Sequence, residues 1–411
     1  MTRMATRFVY GSTRLRVCAV YRCAKKLPLH GSTFCYSSTE ICMHETDRGS
    51  AEPVRSYLDA LISNSKAPGI QYLALTASTV LCQYACGLAD ITGNVPMKPN
   101  TTLMAYSMSK TITAVAVLQL VEAHQVRLED AIDRYVAGSP YGSSITISHL
   151  LSHTAGVPNP IPLRWVHSAE SHARFDEDEA LSAVLQNYPV LSFRPGTRFQ
   201  YSNLGYWLLG KLVERVSGER FASYVTTHIL RPLGATPQEL GYVIVDQANQ
   251  ASGYLEKYSF MNLFKTFLID RAYFGDYEGR WLRIKSHYLN GPAFGGLIGN
   301  IQGFGKFLMD QLQPHSVVLN DTARAWLYTQ QRTKFGNLIP MTLGWHMGEI
   351  DGGTFFYKEG GGGGFRSMMR VYPKQAFATI IMTNATGVGV RRCLDVMDRT
   401  LQRGNNPRYE L

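Results

Sequence analysis

A chain of 411 residues with 45% hydrophobic and 18% charged residues is long enough to bury one large core or two intimate ones, and this balance excludes a disordered polymer. The formal net charge of +10 sits mostly at one end: residues 1–39 hold Arg3, Arg7, Arg14, Arg16, Arg22, Lys25 and Lys26 and no acid, leaving +3 (10 − 7) for the rest. The basic balance is therefore no argument for nucleic-acid binding by the fold, and no apolar run reaches the length of about 18 residues that a membrane span needs.

The first 39 residues are rich in Arg, Ser and Thr and free of acids, as a mitochondrial transit peptide is. The alternative is an upstream extension, with Met43 as a second start. No continuous apolar core of a secretory signal is seen there. Four of the seven cysteines, Cys18, Cys23, Cys35 and Cys42, precede the main body. Cys82 and Cys86 fall at even spacing in one strand region, so they face one side and pair poorly. With Cys393 they read as reduced thiols in an intracellular protein.

Ser50 to Lys66 reads as a helix, closed by Ala67-Pro68-Gly69. Ile70–Ala77 and Val80–Gly87 are β-rich runs joined by a short turn, a hairpin. Met104 to Glu122 opens on Ser107-Met108-Ser109-Lys110 and runs on through Ile112, Val115, Val117, Leu118, Leu120 and Val121 at helical spacing. This predicts a buried helix with Ser107 and Lys110 in its first turn. Arg127 to Val136 is short and amphipathic. Thr146 opens a helix expected to close at Gly156, with His149 and His153 four apart. They have no nearby third ligand and read as packed or capping rather than metal-binding.

Asp176 to Asn187 carries acids in its first turn, as a helix start prefers. A helix begins after Ser202-Asn203 and ends at Gly218, and Glu219 to Leu230 is another. Residues 243–290 are aromatic and show no clear period. Pro292 to Gln311 is a glycine-rich turn and a helix. Leu343–Gly348 and Thr354–Tyr357 are strand-like, and five glycines follow from Gly360 to Gly364. Phe365–Tyr372 and Phe377–Thr383 form a hairpin about Pro373-Lys374, and a last helix spans about Val388 to Arg403. Strands at both ends can share one sheet only if the middle is an insertion. The expected class is α+β: an antiparallel sheet flanked by N- and C-terminal helices, with an inserted, mostly helical lobe. The expected organisation is a basic extension over 1–46 and one domain over 47–403, the α/β part being about 47–125 and 291–403 and the lobe about 126–290.

Residues three apart on a helix share a face, so Ser107 and Lys110 place a hydroxyl beside an ammonium, near the positive end of a helix. Both favour loss of the serine proton. Tyr201 offers a phenol whose pKa two lysines could lower so that it accepts the serine proton, Asn203 an amide to hold substrate or lysine, and Lys358 a second cation before glycines that let a substrate approach the strand. Each short pattern has a duplicate: Ser63-Asn64-Ser65-Lys66, Tyr288-Leu289-Asn290 and Lys334-Phe335-Gly336. Context separates them. The duplicates lie at an exposed helix end, before Gly291-Pro292, and in a polar run.

Taken together, GLADITGNVPM, YSMSK, LLSHTAG, PGTRFQYSNLGYWLLG, RPLGA and KEGGGGGF occur in the order seen in the serine β-lactamase and penicillin-binding-protein superfamily, and the chain resembles its class C β-lactamase and esterase branch over about residues 50–403. The resemblance implies the β-lactamase/transpeptidase-like fold and acyl transfer to a serine. It implies Ser107 as nucleophile, Lys110 and Tyr201 as activators, and Asn203 and Lys358 as substrate-binding groups. The oxyanion hole would be the backbone N–H groups of Ser107 and Gly361. No metal or organic cofactor is implied, and the partner is a small-molecule or peptide substrate, with no nucleic acid. Glu359 departs from the Thr or Ser common after the family's lysine. Its charge opposes a carboxylate-bearing substrate if it faces the site, and pairs with Lys358 or Arg366 if it does not. The resemblance leaves three readings: a hydrolase of small esters, amides or peptides; a β-lactamase or D-Ala-D-Ala carboxypeptidase; or an inactive scaffold.

Overall fold

The computed structural model describes residues 48–160, 164–268 and 270–404. The basic extension and its four cysteines lie outside them. The sheet is built around Gly69–Thr76 (β1), whose residues are buried on both faces except the last. β1 pairs with Val80–Asp90 (β2) on one side and with Phe377–Thr383 (β7) on the other, so the two ends of the chain meet in one antiparallel sheet. Among the described residues the strand order continues outward on each side. Val95–Pro96 (β3) follows β2; beyond β7 lie Phe365–Tyr372 (β6), Gly353–Gly362 (β5) and His346–Ile350 (β4).

Side chains alternate across β1 with period two. Ile70, Tyr72 and Ala74 join Val54, Leu58, Leu394 and Met397 in a core beneath the terminal helices Arg48–Ser63 (α1) and Val390–Gly404. Leu73 and Leu75 face the other way, into the larger core with Phe304 and Phe307 of Ile301–Leu312. That second layer also holds Ser109–Glu122 (α2), which is apolar all round and buried along nearly its whole length, as a central helix should be. Asn203–Ser217 (α3) packs beside it, capped by Ser202 Oγ accepting from Gly205 N–H at 3.0 Å and ended by Gly218 at φ +75°.

Several local expectations shift. Ser107 lies in a 3₁₀ turn, Tyr106–Met108, just ahead of α2 rather than in its first α-helical turn. The helix opened by Thr146 is only Ile147–Leu151; His153 turns to φ +57° and ends it before Gly156. Over Arg127–Val136 the only helical residues are the 3₁₀ turn Ile132–Arg134. The stretch 243–290 carries a small antiparallel sheet of Gly253–Glu256, Trp281–Ile284 and Phe274–Glu278, and His287–Leu289 pairs with Val166–Ser168. No described helix is long and apolar enough to cross a membrane.

Candidate active site

Three segments bring polar side chains to the start of α2. The turn Tyr106–Met108 presents Ser107, and Lys110 follows one turn later. The residues leading into α3 present Tyr201 and Asn203. The far half of β5 presents Lys358 and the glycines. β4 pairs only with residues 353–357 of β5, so beyond Tyr357 that edge is open to the serine turn. Glycine is required there: a Cβ on Gly360 would fall 2.0 Å from Ala105 O, and one on Gly362 would fall 2.2 Å from the Tyr106 ring.

The distances are short. Lys110 Nζ lies 3.0 Å from Ser107 Oγ, 2.6 Å from Asn203 Oδ1 and 2.5 Å from Phe294 O. Tyr201 donates its hydroxyl to Ser107 Oγ at 2.7 Å. Lys358 is fully buried and makes no hydrogen bond; its Nζ stands 5.4 Å from the centre of the Tyr201 ring. Lys110 and Tyr201 thus bond Ser107 directly, whereas Lys358 reaches only the face of the Tyr201 ring. Ser107, Tyr201, Asn203, Phe294 and Gly361 line one cleft of about 160 Å³, walled by Tyr106, Val166, Tyr273, His287 and Leu289.

Electrostatics favour neutral nitrogens. Burial, then repulsion from Lys358, holds Lys110 well below the usual lysine range. Burial pulls Lys358 down to about 7. His153 and His346, both near Tyr201, are pushed down by burial and by Lys358. The phenol departs from expectation. Burial, reinforced by Glu359, raises Tyr201 above the ordinary tyrosine value, and its bond to Ser107 only partly offsets this. Desolvation of a phenolate outweighs two cations that are themselves driven toward neutrality. Glu359 forms an ion pair with Arg366 on the side of β5 opposite Lys358, as strand alternation requires.

The duplicated patterns behave differently. Ser63 is at the exposed end of α1, bonded to Asp59 O at 2.9 Å. Tyr288 accepts from Ile244 N–H and Asn290 bonds His167, although Leu289 between them lines the cleft. Lys334 lies over the exposed ring of Phe335. His149 caps its helix through Thr146, and His153 is packed, its Nδ1 accepting from Ser202 N–H at 3.1 Å. Among the described residues no group of His, Cys, Asp and Glu could hold a metal. Sequence reasoning missed Asn159. Its Oδ1 accepts from both Asn203 N–H at 2.9 Å and Asn203 Nδ2 at 3.0 Å, which turns the other end of that amide toward Lys110. It also missed Tyr106, His346 and the carbonyl of Phe294. Tyr106 opens the YSMSK pattern and Asn159 directly follows LLSHTAGVP, but neither His346 nor Phe294 has a motif spacing.

Comparison with known proteins agrees with this architecture. Penicillin-binding protein 4* of Bacillus subtilis is 32% identical over 163 residues, 39% of this chain and 36% of that protein. Protein flp of Staphylococcus aureus is 26% identical over 189 residues, 45% of this chain and 37% of that protein. The matched stretches thus span little more than a third of these curated relatives. An octameric penicillin-binding-protein homologue from Pyrococcus abyssi superposes with a TM-score of 0.70 at 22% identity, covering 88% of this chain and 79% of that one. A D-amino acid amidase from Ochrobactrum anthropi superposes at 0.71 with 16% identity, over 87% and 100%. These two structures share the fold. The Beta-lactamase family model matches residues 54–402, and the chain belongs to that family.

Proposed function

We propose that the protein is a serine hydrolase that works through an acyl-enzyme on small esters, amides or peptides. The observation that carries this reading is Ser107 Oγ, held 3.0 Å from Lys110 Nζ and 2.7 Å from the Tyr201 hydroxyl at the wall of a cleft. A neutral lysine amine has two N–H donors and one lone pair. Asn203 Oδ1 and Phe294 O take the two donors, so the lone pair is left for the Ser107 hydroxyl proton. Burial, then the charge of Lys358, favours the neutral amine, which suits a general base.

In this scheme Ser107 Oγ bonds to the substrate carbonyl carbon while its proton passes to Lys110. The carbonyl π pair moves to oxygen, and the N–H groups of Ser107 and Gly361 hold that charge. The pair returns, the bond to the leaving group breaks, and the leaving group takes the hydroxyl proton of Tyr201, which bonds Ser107 Oγ already; the Lys110 ammonium replaces that proton, so amine and phenol are both restored. Water then repeats the sequence on the acyl group and frees Ser107. Lys358 contributes a titratable charge at the face of Tyr201. The cleft walls, Tyr106, Val166, Tyr273, Leu289 and Phe294, favour a small apolar acyl group. Amides are included because a D-amino acid amidase is among the neighbours named above.

The test is a hydrolysis screen of short-chain aryl esters, small amino-acid amides, D-Ala-D-Ala peptides and a chromogenic cephalosporin. Turnover of the first two classes is expected to exceed that of the cephalosporin. Ser107→Ala should abolish it, Lys110→Ala should cost nearly as much, and Tyr201→Phe should lower kcat by about 10²-fold. Cephalosporin turnover above ester turnover would favour the β-lactamase reading, and no turnover of any class would favour the scaffold.

A further inference from the structure

The residue ahead of Ser107 has an unusual backbone. Tyr106 sits at φ +47°, in the left-handed region that residues other than glycine seldom occupy. Such a conformation persists where the surroundings over-determine it. Here the side chain supplies the hold. Its ring fills the space that a Cβ on Gly362 would need. Its hydroxyl lies 3.0 Å from Gly363 O and 3.0 Å from His287 Nε2. His287 Nδ1 is 2.8 Å from Lys285 O, which can only accept, so Nδ1 carries a hydrogen. Nε2 of the neutral ring is then an acceptor. One phenolic proton therefore faces two acceptors, Gly363 O and His287 Nε2.

The choice matters for the geometry of the cleft. Gly363 lies two residues beyond Gly361, on the part of the chain that β4 does not support. We propose that Tyr106 is a positioning residue: its O–H, donated to Gly363 O, ties the end of β5 to the serine turn and fixes the spacing between the N–H groups of Ser107 and Gly361. His287 is the competing acceptor, which takes the proton when the tie opens. The inference rests on the hydrolase reading above, because the spacing has meaning only if those N–H groups hold an oxyanion.

Tyr106→Phe tests it, since the ring stays against Gly362 and only the hydroxyl is lost. Expected is a fall in kcat on an aryl ester of about 10- to 100-fold, the scale of a misplaced oxyanion donor, with KM changed less than about threefold. Affinity for an arylboronic acid, which forms a tetrahedral adduct on serine, should fall by the same factor as kcat/KM. His287→Leu removes the competitor, so boronate affinity should rise, by about twofold if the proton is shared evenly. A packing role for Tyr106 would lower the melting temperature without separating kcat from KM. Wild-type kcat in folded Tyr106→Phe, a loss confined to KM, or boronate binding in His287→Leu no tighter than in wild type would overturn the proposal. The last arm decides the matter if Tyr106→Phe does not fold. A wild type that neither hydrolyses ester nor binds boronate would instead remove the hydrolase reading, and this inference with it.

Discussion

Asn159 is the most informative residue to change, because it is hydrogen-bonded to the site through Asn203. Its Oδ1 accepts two hydrogen bonds from Asn203, at 2.9 and 3.0 Å, and these determine which end of the Asn203 amide faces Lys110. Asn159→Ala removes both. At about 0.5–1.5 kcal/mol each, the lost orientation is worth about 1–3 kcal/mol, a fall in kcat of about 5- to 150-fold if it appears in the transition state. Asn159→Asp is the sharper test. The carboxylate keeps an acceptor toward Asn203 but adds a negative charge one side chain from Lys110. An opposite charge on the far side of Asn203 favours the ammonium and raises its pKa. The neutral base then forms only at higher pH, so the acidic limb of kcat/KM should move to higher pH. The assay is the pH dependence of aryl-ester hydrolysis in wild type and both variants, beside thermal melts. An unmoved acidic limb in Asn159→Asp, with wild-type kcat in Asn159→Ala, would refute the assignment of Lys110 as base through Asn203.

Gly360→Ala should be nearly inactive, with kcat down by about 10²-fold or more, because its Cβ would stand 2.0 Å from Ala105 O and push β5 off the serine turn; steady-state kinetics on the folded variant check this. Beneath the sheet, Arg370 is fully buried and bonds Asp398 at 3.0 Å and Asp395 at 2.7 Å. Arg370→Met strands the buried Asp398, so urea unfolding should show a loss of about 3–5 kcal/mol at pH 8. Burial already lifts Asp398 to about 6, and removing Arg370 lifts it further. Because the variant's folded pKa lies above about 6, this penalty is present at high pH, shrinks as pH falls toward about 6 and is largely gone below it, so a loss as large at pH 5 as at pH 8 would contradict the assignment. Glu359→Thr releases Arg366 beside Gly361, and the ratio of cephalosporin to neutral-ester turnover should rise; an unchanged ratio would show that the pair lies outside substrate reach.

The sequence carried the frame of the fold because its signals are periodic and local. The apolar run of α2, the Ser202 cap and the Gly218 stop of α3, and the hairpin about Pro373 all depend on residues within one or two turns of each other. That strands from both ends of the chain share one sheet followed from chain order and the need of end strands for partners; which strands pair did not. What failed lacked a period. Trp281–Ile284 and Phe274–Glu278 are too short to alternate visibly, and the helix after Thr146 ends because His153 turns left-handed, not because of a breaker residue. The residues brought to Ser107 were readable as motif members, but their charge states were not. Tyr201 looked like a phenol between two cations; only burial, a property of the assembled cores, shows that both lysines are held below the ordinary lysine range and the phenol above the ordinary tyrosine value. Asn159 and Tyr106 were missed for the same reason, since their partners Asn203 and Gly363 lie 44 and 257 residues away.

The central claim is that Ser107 becomes acylated. Intact-protein mass spectrometry during turnover of a slowly deacylating aryl ester, followed by peptide mapping, tests it directly. The account predicts one acyl adduct per chain, located on Ser107, absent in Ser107→Ala and slow to form in Lys110→Ala. An adduct on another residue, or turnover in Ser107→Ala equal to wild type, would contradict it.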